Sequence, residues 1–260
     1  MTSPMTNAKI LQVAMNQHAI DANCLPDDFT KIENIVSISK PNEKARSYLC
    51  LPFFCNLIMY SSNIIASVDE RIYSFVQKYI DTKYPHECFE VPQIHHLTTE
   101  FQKYGYLPGY QSEYWLPDVE ILQPLPCTFE MRLLEQEDFT ELYLPEWSNA
   151  LSEQRKHLDI LGVGAYDGKK LIGLAGCSAD CDTMWQIGID VLPEYRKKGI
   201  AAALTSRLAV EVLKRDKVPF YCCAWANLGS VRNAIKSGFR PAWVEHTAVE
   251  KTKALEWGNT

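Results

Sequence analysis

The residues best spaced to do chemistry lie in one passage, Ile187-Gly-Ile-Asp-Val-Leu-Pro-Glu-Tyr-Arg-Lys-Lys-Gly-Ile-Ala-Ala-Ala-Leu204. A strand is expected to end at Val191 and be stopped by Pro193, and Arg196-x-x-Gly199-x-Ala201 to open a helix whose next turns are small and apolar. The first amides of a helix have no internal partner and sit at the positive end of its dipole, so they hold a phosphate. Gly199 lets the backbone approach an anion with no Cβ in the way, and Ala201 to Ala203 leave room for something bulky against the helix. Arg196, Lys197 and Lys198 add longer-range attraction. One dipole contact contributes only about 0.3–1 kcal/mol, so a diphosphate site needs the amides and the basic side chains together. Beyond it come Asn227-Leu-Gly-Ser230, a short helix, and Lys236-Ser-Gly-Phe239-Arg-Pro241, in which Gly238 can end that helix at positive φ and Phe239 can pack beneath it.

In order and spacing, Val191-x-Pro193-x-x-Arg196-x-x-Gly199-x-Ala201 followed by Asn227-x-x-Ser230 with Gly238-Phe239 resembles the two signature regions of the GNAT superfamily of acyl-CoA-dependent N-acyltransferases, over roughly residues 128–255. The resemblance implies acetyl-CoA as acyl donor and direct attack of an amine on its thioester. Carried onto this chain, the backbone of Ile189, Asp190 and Val191 would bind the pantetheine arm like an added strand. The amides of Lys197, Lys198, Gly199, Ile200 and Ala201, with Arg196 nearby, would hold the pyrophosphate. Asn227 and Ser230 would face the cofactor, with the acyl carbonyl between strands ending at Val191 and Trp225. Many members place a Tyr seven residues after the Asn; here that position is Ala234. Ser230 and Tyr195 are the expected replacements as proton donor to the leaving thiolate, with Cys223 behind them.

The amine must also lose a proton. At pH 7 this costs about 4–5 kcal/mol for a Lys-like amine of pKa about 10.4, but only about 1 for an α-amine near 7.8. A side-chain amine therefore requires a base or a chain of water. Trp185 and Gln186 stand where a carboxylate is often found, and Asp190 should point away from its neighbours' face. Trp147, Trp225 and Trp243 are expected to line the acceptor pocket, with Leu142 to Leu158. His157 and His246 could reach the acceptor channel but read better as surface residues. His95-His96 has no third ligand nearby, and adjacent helical residues diverge by about 100 degrees, so no metal is expected.

These side chains need a scaffold, and composition bounds it. With 260 residues, 47% hydrophobic and 22% charged, the chain suits two modest globular domains and excludes a disordered or collagen-like one. A net charge of -6 argues against nucleic acid as a partner. Residues 1–125 hold 9 Lys and Arg against 14 Asp and Glu, the remainder 17 against 18, so the basic groups concentrate in the second half. The apolar run Tyr48 to Tyr60 contains Pro52 and Asn56 and falls short of the roughly 20 residues that cross a bilayer. The first twelve residues lack a basic segment leading into an apolar run. Nine cysteines, irregularly spaced and without a C-x-x-C pair, then read as small hydrophobes in a reducing, cytoplasmic setting.

Periodicity places helices at Asn7 to Asp21, Glu70 to Ile80 behind Asp69, Ile94 to Tyr104, Gln136 to Ser148, Gly199 to Arg215 and Ser230 to Ser237. Strands fall at Ile35 to Ser39, Phe53 to Tyr60, Asn63 to Val68, Phe129 to Leu133, Leu161 to Tyr166, Lys170 to Ser178, Met184 to Val191 and Phe220 to Trp225. Prolines between Leu116 and Cys127 suggest a boundary, giving an α+β domain at 1–126 and an α/β (α+β) GNAT-like domain at 127–260, a mixed sheet flanked by helices. Lys103-Tyr-Gly-Tyr-Leu-Pro-Gly-Tyr110 matches Lys236-Ser-Gly-Phe-Arg-Pro-Ala-Trp243 without a gap. Residues 50 to 118 could thus be a degenerate half of the same fold that no longer binds CoA. The expected activity is acetyl transfer to an amine of a small molecule or peptide, with no membrane partner and an open oligomeric state. The alternatives are a non-catalytic acyl-CoA sensor and an acyltransferase for a toxic amino compound.

Overall fold

The computed structural model describes residues 5–257. Residues 1–4, part of the stretch read for a leader, lie outside the described residues. Along the chain run α1 (Asn7–Ala22), β1 (Ile35–Ile38), β2 (Cys55–Met59), β3 (Ile64–Val68), α2 (Tyr73–Asp81), α3 (Val91–Phe101), β4 (Tyr106–Pro117), β5 (Glu130–Glu135), β6 (Asp159–Asp167), β7 (Lys170–Ser178), β8 (Met184–Val191), α4 (Ile200–Leu213), β9 (Val218–Cys223), α5 (Leu228–Lys236), β10 (Phe239–Glu250) and α6 (Lys251–Trp257). The two compact units do not divide at a single point near residue 126. One is Met15–Tyr114 with Ala242–Thr260, the other Met1–Ala14 with Trp115–Pro241. The reason is β10, which pairs antiparallel with β2, Val244 opposite Met59 through Thr247 opposite Asn56, and so returns the last residues to the first unit.

In that unit the strands lie in the order β1-β3-β2-β10-β4. Asp69 caps the turn leading into α2 by accepting from the Arg71 amide at 2.9 Å, as its position before Glu70 anticipates. Val76 and Ile80 of α2 and Leu97 and Phe101 of α3 then cover Leu57, Ile64, Ala66 and Val68 of the sheet. Each such burial contributes about 1.5–3 kcal/mol. By strand alternation, Trp243 and Glu245 lie on the opposite face of β10, where they meet a buried polar network. Arg46 Nε donates to Asp21 Oδ2 at 2.6 Å and its NH2 group to Glu245 Oε1 at 3.2 Å. His18 Nε2 lies 2.8 Å from the same Glu245 oxygen, which also accepts from Trp243 Nε1 at 2.8 Å. Burial opposes the charge on Glu245, but Arg46, His18 and Trp243 outweigh it and hold the carboxyl down at about 2.

The second unit has the order β9-β8-β7-β6-β5, antiparallel except for the parallel pair β8 and β9. α4 packs across β6, β7 and β8, placing Ile200, Leu204 and Leu208 against Val163, Ala175 and Ile187. The other face is covered by Phe139, Trp147 and Leu151 against Leu134 and Leu174. The expected helix at Gln136 to Ser148 is absent. Short 3-10 turns at Gln136–Phe139 and Pro145–Trp147 replace it, since Pro145 has no amide to continue a helix and the Leu144 amide bonds Leu142 O instead. Gly105 and Gly238 both take left-handed φ, +80° and +88°, and each opens a twelve-residue strand.

Candidate active site

β8 and β9 pair from Met184 opposite Val218 to Ile187 opposite Tyr221, and there the ladder stops. Gly188 to Val191 continue alongside β7 only, so the parallel strands part and leave one backbone edge of β8 for another chain of donors and acceptors. The Asp190 side chain turns away and accepts from the Asn149 amide at 2.8 Å, Asn149 Nδ2 at 2.7 Å and the Ala150 amide at 3.0 Å. Its carboxylate pins a loop, leaving only its backbone for a ligand.

The following loop is shaped by two left-handed residues, Lys197 at φ +62° and Gly199 at φ +82°, and closed by Arg196 Nε donating to Val191 O at 3.0 Å. Gly199 is the N-cap of the fourteen-residue α4 and offers no side chain to its first amides. A Cβ at Gly199 would stand 3.6 Å from Lys236 Nζ. α5 thus delivers an ammonium beside the helix N-terminus, a contribution that sequence reasoning missed because it treated Lys236 only as part of a helix end. Open amides, a Cβ-free approach and three exposed lysines fit the diphosphate of an acyl-CoA.

The residues expected to move protons are mostly occupied. The Tyr195 hydroxyl donates to Asp167 Oδ2 at 2.9 Å, a bond that raises its pKa, and its ring packs edge-on against Phe129. Asn227 Oδ1 caps α5 by accepting from the Ser230 amide at 3.2 Å. Ala234 is wholly buried. The Ser230 side chain instead shares a hydrogen bond with Tyr221 of β9, as does Asn233, whose Nδ2 reaches Thr205 Oγ1 at 3.1 Å. Burial raises the Tyr221 pKa, and these two bonds oppose it only in part, so the phenol is protonated at neutral pH. Alternation along β9 puts Tyr221 on a face with Cys223, a signal the reading of Cys223 alone overlooked.

A cavity of about 140 Å³ opens on the other face, lined by the Ser148 to Ser152 loop, Arg155, Asp159, Ser178, Gln186 and Gly188. Its roof depends on a row of glycines. Gly162, Gly176 and Gly188 are register partners across β6, β7 and β8. A Cβ on Gly176 would meet Ala150 O at 2.2 Å, and one on Gly188 would meet Asn149 O at 1.8 Å. Only glycine lets the loop lie flat there. The floor is the neighbouring row, Asp159 opposite Ser178 opposite Gln186. Asp159 Oδ2 accepts from the Ser152 amide at 2.8 Å, and burial raises its carboxyl to about 6 despite that bond and one to Tyr143. The Gln186 Nε2 donates to Cys222 Sγ at 3.1 Å.

Trp147 is buried in the core, Trp225 is 63% exposed, and Trp243 belongs to the other unit's buried network, stacked on Tyr60 and Tyr114. His246 is buried rather than on the surface, with neither ring nitrogen hydrogen-bonded. His95 and His96 are exposed. Among the described residues no three His, Cys, Asp or Glu side chains gather as metal ligands, and no helix is long and apolar enough to cross a membrane.

Two parallel strands that part beside an uncapped, lysine-flanked helix N-terminus are the layout of a coenzyme A-dependent acyltransferase. The chain belongs to the GNAT acetyltransferase family, whose model matches residues 64–243, and acyltransferases of this family take acetyl-CoA as donor. No curated protein matches it. Among solved structures it is similar to a Drosophila protein over 94% of this chain and 90% of that one, at 12% identity and TM-score 0.45. A GNAT-family protein of Novosphingobium aromaticivorans is 18% identical with TM-score 0.42, over 55% of this chain and 66% of that one, so the chain spans just under two thirds of its length. The Salmonella typhimurium protein yncA, solved with its cofactor acetyl-CoA, is 17% identical with TM-score 0.36, over 48% and 95%.

Proposed function

We propose that this protein transfers an acetyl group from acetyl-CoA to the amine of a small molecule or peptide. The observation that carries the reading is the Arg196–Ile200 loop, with its two left-handed residues and open helix N-terminus beside the free edge of β8. Acetyl-CoA, when bound, supplies the acetyl group as a reactive thioester. The amides of Lys197 to Ala201, with Lys236, would hold its pyrophosphate, and the backbone of Ile189 and Val191 would align its arm. Ser230, hydrogen-bonded to the buried Tyr221 hydroxyl, would deliver a proton towards the leaving sulfur. The cysteine content supports a cytoplasmic setting, with Cys55, Cys88, Cys177 and Cys223 buried as small apolar side chains. The common αL glycine and twelve-residue strand at Gly105 and Gly238 support a degenerate GNAT half in the first unit.

The test is calorimetric CoA binding with Gly199→Glu, which places a side chain and a negative charge at the anion. Affinity should be abolished; unchanged affinity removes the assignment. Ala234 favours a second reading, a non-catalytic acyl-CoA sensor. Release of free thiol from acetyl-CoA on a panel of amines separates the two, since a sensor gives none.

A further inference from the structure

Acyl transfer to an amine requires a place where an ammonium is held and relieved of a proton. The cavity beneath the Ser148 to Ser152 loop has the charge and unmet hydrogen-bonding capacity for it. Asp190 is excluded, because its carboxylate already accepts three hydrogen bonds from Asn149 and Ala150. Arg155 is ion-paired with Asp180, so those two charges cancel. Asp159 is the remaining carboxylate lining the cavity. It accepts from the Ser152 amide and the Tyr143 hydroxyl, yet a carboxylate has about four acceptor sites. Opposite it on β7, Ser178 is 8% exposed and its Oγ has no hydrogen-bond partner. A buried hydroxyl facing a cavity without a partner is uncommon and points to a ligand.

We propose that Asp159 and Ser178, under the Ser148 to Ser152 loop, form the subsite for the acceptor's ammonium group, and that Asp159 is its proton acceptor. This rests on the acetyltransferase reading of the same unit. The carboxylate takes one proton from the ammonium, and the freed nitrogen lone pair forms the bond to the acyl carbon as the carbon–sulfur bond breaks. Ser230 gives its proton to the departing thiolate and is restored by the second nitrogen proton, and Asp159 returns its proton to water. One ammonium and one thioester become one amide, one thiol and one released proton. A cavity of about 140 Å³ is close to the ~150 Å³ that holds a benzene, so it admits about six heavy atoms. With Arg155 neutralised by Asp180, Asp159 is left as the unpaired charge of the lining, and it selects a small cationic head over a carboxylate.

The charged and titrating groups around Asp159 are Tyr143 on the loop after β5, Arg155 ahead of β6 and Asp180 after β7. With Asp159 titrating at about 6, ammonium binding should weaken about tenfold between pH 7 and pH 5.

The experiment titrates ethanolamine into the full chain without acetyl-CoA, following amide resonances by NMR, with propionate as the anionic control. The expected result is saturable shifts at Ser152 and Ser178, no response to propionate, and binding weakened about tenfold or more in Asp159→Asn. The introduced carboxamide would keep an oxygen for the Ser152 amide. Should that variant fail to fold, Ser178→Ala, which removes no existing hydrogen bond, should weaken binding about threefold or more. Ethanolamine that fails to bind, binds elsewhere, or binds both variants as the parent overturns the subsite. CoA titration of the same samples reports on the donor loop separately, so either assignment can fail with the other intact.

Discussion

Gly188 lies directly under the loop that roofs the cavity, and replacing it with alanine perturbs one thing only. Its backbone is not left-handed, so Gly188→Ala introduces no torsional strain, but the new Cβ would fall 1.8 Å from Asn149 O. Carbon–oxygen contacts close in at about 3.3 Å, so the loop must retreat by about 1.5 Å. Releasing the loop altogether would expose the buried Trp147 and Leu151 at about 2–3 kcal/mol each. Shifting it costs less, about 1–3 kcal/mol for overpacking of this kind, and is the outcome expected. The shift stretches the Asn149 and Ala150 amide bonds to Asp190, now 2.8 and 3.0 Å, beyond hydrogen-bonding reach. Those two amides should exchange with solvent about ten- to a hundredfold faster, as measured by NMR, and the urea midpoint should fall correspondingly. Protection unchanged at both amides, with stability within about 0.5 kcal/mol of the parent, would refute the account of the glycine row.

His246→Leu tests a buried imidazole with two unbonded nitrogens, held by burial at about 4 against an ordinary value near 6.5. The unfolded chain takes the proton first as pH falls, so stability is intact above pH 6.5 and lost on the way down to about 4. Between pH 7.5 and 5.0 the parent should lose about 2 kcal/mol more than the variant in urea unfolding, and parallel pH curves would contradict this. Lys236→Ala should weaken CoA binding about three- to tenfold and flatten its salt dependence, read by calorimetry at two ionic strengths. An unaltered salt slope would mean that the ammonium beside Gly199 takes no part.

The donor side of the site is legible in the sequence because its chemistry is local. Pro193, Gly199 and Ala201 state a strand end, a left-handed residue and a helix start within a few positions, and β8, the loop and α4 follow that order. Asn7–Ala22, Lys170–Ser178 and Met184–Val191 likewise match their periodicity to within a residue or so. What sequence does not supply is what long-range register decides. Asp159, Ser178 and Gln186 are 8 to 27 positions apart, and only the β6-β7-β8 pairing sets them in one row. Trp147 and Trp243 read as pocket walls from their size, but large aromatics are the side chains a core buries most readily. Local prolines, on which the boundary expected near residue 126 rests, likewise cannot reveal that β10 closes on β2 and that each compact unit is built from two stretches of chain.

Burial of Asp159 does more than mark the cavity. A carboxyl near its ordinary 3.8 is a poor proton acceptor for an amine, whereas one at about 6 is roughly a hundredfold better placed. Against a Lys-like amine near 10.4 the transfer remains uphill by more than four powers of ten; against an α-amine near 7.8 it is uphill by about two. The same carboxylate therefore favours weakly basic amines. A negative cavity alone would favour the most basic ones, which are the most fully charged at neutral pH. Binding and proton transfer thus pull in opposite directions along an amine series, and chemistry should be fastest where the ammonium is still held but yields its proton with the smallest penalty. The glycine row beneath Asn149 and Ala150 matters for the same reason: it keeps the loop close enough to exclude water, and exclusion of water is what keeps Asp159 basic.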